Sequence, residues 1–223
     1  MVFLYEQRAG DEFITLKGEH HKYLVKVRRH QVGDRLSLRQ KQNPDILHTY
    51  TITEIGARSL ELQIIESKEY KVTPLQSLHV GWCVIDSKSV EKVLASLNEM
   101  GVGCISFIYC SRSQKNFKPD FKRYERILEA SNQQCGRSDM MEFQTYKNLE
   151  NFLEEYPDVK VFDFTDKVLD TTQNISDILI GCEGGFSHQE KELLAQKDVF
   201  RLNTPLVLRS ESAVLAVAAK ILL

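Results

Sequence analysis

The 223-residue sequence predicts a mixed α/β protein in two parts, a small β-barrel over residues 1–73 and a larger α/β domain over residues 74–223. Short β-rich segments with little helix fill the first part, as is typical of small barrels. From residue 78 onward, strand-like and helical segments alternate, which indicates a mostly parallel sheet covered on both faces. Between the two parts, the polar segment 67–77 contains Pro74 and is a candidate linker.

The first part contains five predicted strands and one predicted helix. The helix spans residues 19–29, because Tyr23, Leu24 and Val27 recur at helical spacing between cations. A turn at Gly33 then precedes the next strand. The strands, which are short and rich in β-branched and other apolar residues, are predicted at 2–5, 12–16, 35–38, 47–55 and 60–65.

The second part alternates between strands and helices. Apolar residues at helical spacing define one face of the helix at 88–100, which Gly101 is expected to end. Pro119 is predicted to occupy the first position of the following helix. Strands are predicted at 78–85, 105–109, 159–164, 178–180 and 205–208. Helices are predicted at 88–100, 121–134, 147–155, 187–196 and 210–222.

The charged residues are unevenly distributed. The formal net charge of −2 gives the chain no overall basic character. Residues 17–41 nevertheless carry a net charge of +6, and residues 112–137 a net charge of +4. Such local clusters fit contact with phosphate groups. Two solvated helix faces would give the same counts, so charge alone leaves both interpretations open.

Several classes of protein are disfavoured. The sequence has no G-x-x-x-x-G-K-[ST] phosphate loop and no G-x-S-x-G nucleophile elbow, and its six histidines are dispersed, so we expect no metal site. The apolar run 213–219 is far shorter than the roughly 20 residues of a membrane helix. The N-terminus has no basic stretch before an apolar core, so we expect no secretory signal and a cytoplasmic protein. Five cysteines without a C-x-x-C pair are then expected to be buried free thiols.

The sharpest motif lies between a predicted strand and a predicted helix. Residues 181–185 read Gly-Cys-Glu-Gly-Gly, and glycines let main-chain groups approach a ligand closely. Ligands of open α/β sheets bind beyond the carboxyl ends of the strands, where this loop is predicted. Ser187 and Glu190, which follow it, have the spacing of a capping box. An ordinary tight turn would account for the glycines alone.

A second polar motif occupies residues 201–213. An extended segment there leads to Arg209, then to Ser210 as a possible N-cap, and then to an apolar helix. Arg209 and Glu211 are placed at the junction of sheet and helix, where polar side chains face a cleft. A structural pair between these two residues is the plain alternative.

A third cluster combines Ser-Arg-Ser at 111–113 with Gln-Gln-Cys-Gly-Arg at 133–137. The three motifs, in this order behind a small β domain, resemble the bacterial RsmE family, SPOUT-class methyltransferases that methylate N3 of a uridine in 16S ribosomal RNA. The resemblance covers essentially the whole chain. Its E-L-G-V segment reads Glu-Met-Gly-Val at 99–102, and its V-L-R-x-x-x-G-[DQ] segment is matched at 27–34.

Two family motifs carry the resemblance, each with departures. Family members have a G-P-E-G-G loop, in which this chain has Cys182 in place of proline. They also have an L-G-x-R-[IV]-L-R-x-E-[ST] run, matched here at 203–212. In that run Asn203, Thr204 and Leu206 replace leucine, glycine and the first arginine, whereas the second arginine and the glutamate are kept.

The resemblance implies a PUA-like RNA-binding domain at residues 1–73, followed at 74–223 by a SPOUT domain with a C-terminal trefoil knot. It also implies a homodimer that acts on 16S rRNA of the small ribosomal subunit. S-adenosylmethionine would be bound by loops after 161–164, at 181–185 and at 202–208. The implied cofactor-binding residues are Phe164, Gly181, Glu183, Gly184, Gly185, Leu202, Asn203 and Leu208.

The implied reaction is attack of uracil N3 on the methyl group of the cofactor, after loss of the N3 proton. Arg209, Arg112 and Arg137 are candidates for stabilising the negative charge on the uracil oxygens. Glu183 and Glu211 could each serve as the base or hold another group in place, and the residues leave this open. The residues implied to contact RNA phosphates are Lys22, Lys26, Arg28 and Arg29.

Two alternatives remain open. The replacements at Asn203, Thr204 and Leu206 alter a cofactor loop, which favours a non-catalytic RNA-binding assembly adaptor that would not bind S-adenosylmethionine. A related SPOUT enzyme would methylate tRNA or another rRNA position. The identity of the RNA that receives the methyl group distinguishes this related enzyme from a 16S rRNA uridine methyltransferase.

Overall fold

A computed structural model describes residues 2–114, 116, 118–170 and 174–223. The chain forms two compact units: Met1–Thr73 with Asn132–Asp139, and Pro74–Ser131 with Met140–Leu223. Residues 132–139, which the sequence placed with the second domain, therefore belong to the first unit. Residues 115 and 117 of the second basic segment lie outside the described residues.

The first unit is built on one five-stranded sheet. Its strands are β1 (Leu4–Tyr5), β2 (Phe13–Lys17), β3 (Arg35–Arg39), β4 (Ile46–Ile55) and β5 (Ser59–Glu69). Their order is β1-β3-β4-β5-β2, with β1 parallel to β3 and the other neighbours antiparallel. Within the described residues the edge strands β1 and β2 do not pair with each other, so closure into a barrel stays a prediction.

The predicted helix at 19–29 is observed as two short pieces. Helix α1 (Gly18–Lys22) runs directly into a π-helical turn at Tyr23–Val27. The amide of Arg28 donates to the carbonyl of Tyr23, five residues back, and this wider spacing rotates later side chains away from the apolar face. Leu24 is buried in the core of the unit, but Val27 is exposed, so its predicted place on the apolar face is wrong.

The predicted linker begins too early. Strand β5 continues to Glu69, whose backbone pairs with Ile46 of β4, and it takes the first three residues of the segment 67–77. The two units meet in sequence between Thr73 and Pro74. The polar composition of 67–69 is explained by exposure, because these residues form the exposed end of a long strand.

The second unit is a six-stranded parallel sheet with helices between its strands. The strands are β6 (Leu78–Cys83), β7 (Val102–Ile108), β8 (Glu142–Tyr146), β9 (Lys160–Phe162), β10 (Asp177–Ile180) and β11 (Val199–Phe200). The helices are α2 (Ser87–Met100), α3 (Phe121–Cys135, whose residues 132–135 belong to the first unit), α4 (Leu149–Glu155), α5 (His188–Leu194) and α6 (Ser210–Leu222). The strand order is β11-β9-β10-β6-β7-β8, and every pairing is parallel, which confirms the predicted mixed α/β fold with a parallel sheet.

Two predicted features of this unit are wrong. Residues 205–208 form a loop, because Pro205 has no N–H and the Leu206 amide donates locally to Thr204 Oγ1. Helix α3 begins at Phe121, two residues after Pro119, and the preceding Asp120 accepts a hydrogen bond from the amide of Arg123. Strands β8 and β11 were not predicted from the sequence.

The predicted end of α2 and the predicted burial of most cysteines agree with the structure. Gly101 ends α2 with a φ of 104°, as its position predicted. Cys83, Cys110 and Cys182 are buried free thiols, whereas Cys104 is half-buried and Cys135 is exposed, against expectation. In the described part of the chain, no helix has the length and apolar character to cross a membrane, and no group of three or more His, Cys, Asp or Glu side chains is placed to hold a metal ion.

Candidate functional site

Three loops at one edge of the parallel sheet line a single cleft. Strands β11, β9 and β10 are neighbours and run in the same direction, so the loops that follow them leave the sheet side by side. The cleft is lined by residues 162–164 after β9, by residues between 180 and 186 after β10, and by residues between 201 and 208 after β11. It encloses about 780 Å³, its open mouth included.

The glycine loop, residues 181–185, is a tight turn. The Gly185 amide donates to the carbonyl of Cys182 over 2.9 Å, and Gly185 adopts a φ of 64°, which favours glycine. The Cys182 side chain folds over the same turn, with Sγ 3.8 Å from the Gly185 carbonyl oxygen. Burial raises the pKa of the Cys182 thiol, so this side chain is a neutral packing group in the wall of the cleft.

Ser210 fixes the glycine loop to the start of α6. Its hydroxyl donates to the carbonyl of Gly181 over 2.6 Å and accepts from the indole N–H of Trp82 over 2.8 Å. The predicted role of Ser210 as N-cap is therefore wrong: Arg209 occupies the N-cap position, and no side chain of a described residue caps this helix. The Ser210 hydroxyl thus forms its hydrogen bond with the glycine loop and not with the first turn of its own helix.

Glu190 connects two loops of this edge. With Ser187 it forms the predicted capping box of α5, in which Glu190 Oε2 accepts from the Ser187 amide over 2.7 Å. Its other oxygen, Oε1, accepts from the amide of Ser111, which follows β7, also over 2.7 Å. Burial acts to raise the pKa of Glu190, but the hydrogen bonds from Ser111 and Ser187 outweigh it, and the pKa is lowered.

Two of the predicted arginines lie in this unit. Arg112 is brought to the glycine loop, where Nη1 donates to the carbonyl of Gly184 over 2.7 Å. Arg209 is exposed, and its guanidinium makes no hydrogen bond or ion pair with a described residue, so the alternative of a structural Arg209–Glu211 pair is wrong. Glu211 has one buried oxygen, Oε2, that lacks a hydrogen-bond partner among the described residues.

Comparison with known proteins assigns the family. Residues 71–222 match the RNA methyltransferase domain family. The chain is 33% identical to ribosomal RNA small subunit methyltransferase E of Helicobacter pylori strain J99, and the match covers 98% of each protein. This chain belongs to the ribosomal RNA small subunit methyltransferase E family. It is also 24% identical to the family member of Aquifex aeolicus, over 98% of this chain and 97% of that protein.

Solved structures share the fold. The methyltransferase E of Neisseria gonorrhoeae, crystallised with bound S-adenosylmethionine, superposes with a TM-score of 0.73 at 17% identity and covers 98% of this chain and 96% of its own. A Legionella pneumophila protein in complex with the same cofactor also gives a TM-score of 0.73, at 21% identity over 97% of this chain and 96% of its own. The mixed α/β architecture is thus common to the methyltransferase E family and this chain.

Most of the cofactor-binding residues implied by the family lie in the cleft. Gly184 and Asn203 do not line it, although both stand in its loops. The residues that do are Phe164, Gly181, Glu183, Gly185, Leu202 and Leu208. Thr204, Leu206 and Val207, which lie within the implied loop 202–208 but were not named as binding residues, also line the cleft. Sequence reasoning missed Phe186, whose only signal was its position directly after the glycine loop.

The remaining predicted residues belong to the first unit. Arg137 is buried, and its Nε and Nη2 donate to the two carboxylate oxygens of Asp139 over 3.0 and 2.7 Å. Arg28 donates to the hydroxyl of Tyr23 over 2.9 Å. Lys22, Lys26 and Arg29 are exposed; Lys22 pairs with Glu19 over 2.8 Å, and Arg29 adopts a φ of 60°. The arginines and lysines of residues 22–29 thus form a surface of the first unit, while Arg112 and Arg209 belong to the second.

Proposed function

We propose that this chain transfers a methyl group from S-adenosylmethionine to N3 of a uridine in 16S rRNA of the small ribosomal subunit. One observation carries the proposal: a cleft formed by three adjacent loops at the carboxyl edge of the sheet, with Arg112 bonded to the glycine loop. Family membership supports the same reaction class. The choice of uridine N3 follows the family resemblance in the sequence.

The cleft suits the chemistry of S-adenosylmethionine. Phe164, Leu202 and Leu208 offer apolar walls to an adenine ring. The glycine loop 181–185 offers main-chain groups for hydrogen bonds with little side-chain obstruction, and Glu183 offers a carboxylate to the ammonium group. When bound, the cofactor would supply a methyl group on a positively charged sulfur, which a nitrogen nucleophile can attack. Holding donor and acceptor in line would supply much of the rate.

Arg112 and Arg209 would stabilise the negative charge that develops on the uracil oxygens. A guanidinium has five donors, and Arg112 uses one of them on Gly184. Arg209 has no partner among the described residues, so its donors are free for the substrate. Arg137 uses two donors on Asp139, so we assign this role first to the other two arginines. Loss of one such donor costs on the order of 10²–10³-fold in rate.

The proton on N3 would be taken up by a carboxylate or by solvent. Glu183 lines the cleft, and Glu211 has a buried oxygen without a hydrogen-bond partner among the described residues. Either could accept the proton or orient Arg209. The pH–rate profiles of Glu183→Gln and Glu211→Gln would assign the base, because loss of the base removes the acidic limb of the profile.

RNA would be held by the basic surface of the first unit. Lys22, Lys26, Arg28 and Arg29 lie close together in the chain and are exposed, as phosphate contacts require. The target base would be splayed out of its RNA strand, because pairing hides uracil N3. Residues 1–73 would act as the PUA-like RNA-binding domain.

The proposal includes the family's architecture and assembly. Residues 74–223 would form a SPOUT domain with a C-terminal trefoil knot, and two copies would pair through helices that include α6. Exposed apolar side chains at Leu206 and Val207, 72% and 77% exposed, are consistent with a surface that another molecule covers. The protein would act in the cytoplasm, where ribosomal subunits are assembled.

Nucleoside analysis of rRNA tests this function. Small subunits from cells that lack the protein would be incubated with the purified chain and S-adenosylmethionine, then digested and analysed by mass spectrometry. We expect one added 3-methyluridine per 16S rRNA. No added methyl group with active cofactor present would refute the proposal; a methyl group on tRNA or on another rRNA position would favour a related SPOUT enzyme.

A further inference from the structure

We infer that Glu190 is a positioning residue for Arg112. Its carboxylate binds the main chain of two loops at once and thereby holds Arg112 against the glycine loop. In an ordinary capping box the glutamate serves only its own helix. Glu190 uses its second oxygen on the amide of Ser111, 79 residues away in sequence. The inference rests on the proposed function in one respect, the role of Arg112 in methyl transfer.

The bridge has the features of a strong and specific contact. Both hydrogen bonds, to the amides of Ser111 and Ser187, measure 2.7 Å, which is short for N–H···O and typical of a charged acceptor. Glu190 is only 5% exposed, so its carboxylate is held in place and shielded from water. Both oxygens are therefore occupied by main-chain donors from different loops.

Each of the two loops is also closed by hydrogen bonds of its own. The contribution of the Glu190 bridge is therefore separate from the formation of the loops. The loop after β7 is closed by hydrogen bonds between Cys110 and Ser113, at 3.0 Å in both directions. The glycine loop is closed by its own turn and is tied to α6 through Ser210. Glu190 is thus not needed to form either loop, and its two bonds set the position of one loop against the other.

Arg112 connects the two loops whose relative position the Glu190 bridge fixes. It follows Ser111 directly, so the bridge fixes its main chain, while Nη1 reaches Gly184 across the gap between the loops. A free arginine side chain has many rotamers, and fixing both of its ends removes most of them. The guanidinium therefore presents its remaining donors in one orientation.

Glu190→Gln tests the inference with little change of shape. An amide has one acceptor oxygen, so one of the two main-chain donors must lose its partner. We expect kcat to fall by at least tenfold while the KM for S-adenosylmethionine changes by less than threefold. Glu192→Gln, a matched change on the exposed side of the same helix, should leave both constants unchanged. Arg112→Ala/Glu190→Gln should be no slower than Arg112→Ala alone, because both changes remove the same positioned group.

Two results would overturn the inference: wild-type kcat in Glu190→Gln, or a double variant whose rate loss is the product of the two single losses. If Glu190→Gln does not fold, Glu190→Asp keeps the charge but is one methylene short, and the same two criteria apply to it. Hydrogen exchange at the Ser111 amide, slow in the wild type and fast in the variant, tests the bridge without an activity assay. An inactive wild type would refute the proposed function, and the positioning role with it, while the exchange result would still decide whether the bridge exists.

Discussion

The hydroxyl of Ser210 donates a 2.6 Å hydrogen bond to the carbonyl of Gly181. The same hydroxyl accepts from the indole of Trp82, so one buried oxygen connects helix α6, strand β6 and the glycine loop. Gly181 is the first residue after β10, and its carbonyl direction sets the course of the loop that follows. The shape of the cleft therefore depends on a side chain that contributes little surface to it.

Replacing Ser210 should loosen the cofactor site. Ser210→Ala leaves the Gly181 carbonyl and the Trp82 N–H without their partner in a buried setting, which costs about 1–3 kcal/mol of unfolding free energy. We expect the Kd for S-adenosylmethionine, measured by calorimetry, to rise about tenfold, equivalent to about 1.4 kcal/mol. Ser212→Ala, at an exposed position of the same helix, is the control. An unchanged Kd in Ser210→Ala would show that the anchor does not shape the site.

Arg209→Ala should separate catalysis from stability. Because the guanidinium is exposed and has no partner among the described residues, its loss should leave the melting temperature unchanged. If Arg209 stabilises charge on the substrate, kcat should fall on the order of 10²–10³-fold. Single-turnover methyl transfer and thermal unfolding of the same preparation measure both effects. A large drop in melting temperature with little change in rate would assign Arg209 a structural role.

The basic surface of the first unit should control the salt dependence of RNA binding. Each phosphate contact contributes about 0.7–0.9 to the slope of log K against log salt concentration. Lys26→Ala/Arg29→Ala should reduce the steepness of that slope by about 1.5 for 16S rRNA. Lys68→Ala/Lys71→Ala removes the same charge from the first unit outside residues 17–41 and should leave the slope near that of the wild type. Equal slopes for the two double variants would mean that only net charge matters.

His79 should make the second unit less stable in mild acid. Its Nδ1 lies 3.0 Å from Asp177 Oδ1 and its Nε2 lies 2.8 Å from Ser106 Oγ, at the end of the sheet where β10 begins. Burial lowers the pKa of His79, and the pairing with Asp177 only partly opposes this. The unfolded chain thus takes up a proton at higher pH than the folded chain does, so the stability present above the usual histidine pKa of about 6.5 is lost as the pH falls below it.

The comparison of wild type with His79→Gln isolates this effect. Burial also lowers the pKa of His48 in the first unit, so the wild type alone would mix two contributions. Urea unfolding followed by the fluorescence of Trp82, the single tryptophan, reports on the second unit. We expect the free energy of unfolding to decrease more between pH 8 and pH 5.5 in the wild type than in the variant. Parallel pH dependences would exclude His79 as the cause.

Local patterns predicted the elements whose ends depend on nearby residues. The stop of α2 at Gly101 and the capping box of Ser187 and Glu190 are confirmed, because each depends on hydrogen bonds within a few residues. The second bond of Glu190, to Ser111, could not be predicted, since the two residues meet only when β7 and β10 take their places in the sheet. The role of Ser210 was mispredicted for the same reason. Its hydroxyl donates to the carbonyl of Gly181, 29 residues away, instead of capping its own helix.

Short edge strands and loops resisted prediction for a different reason. Strand β11 has two residues, Val199 and Phe200, and β8 is only partly buried, so neither presents a clear apolar alternation. Residues 205–208 have the composition of a strand but pair with no strand in the described part of the chain. The placement of the three cleft loops, by contrast, follows from the rule that ligands bind at the carboxyl ends of parallel strands.

A crystal structure of the protein with S-adenosylmethionine, supported by titration calorimetry, would show whether the three loops bind the cofactor beside a guanidinium. We expect saturable binding and electron density for the cofactor between residues 162–164, 181–185 and 202–208, with its methyl group facing the guanidinium of Arg112 or Arg209. Absence of saturable binding, or density for the cofactor anywhere outside these three loops, would contradict this expectation.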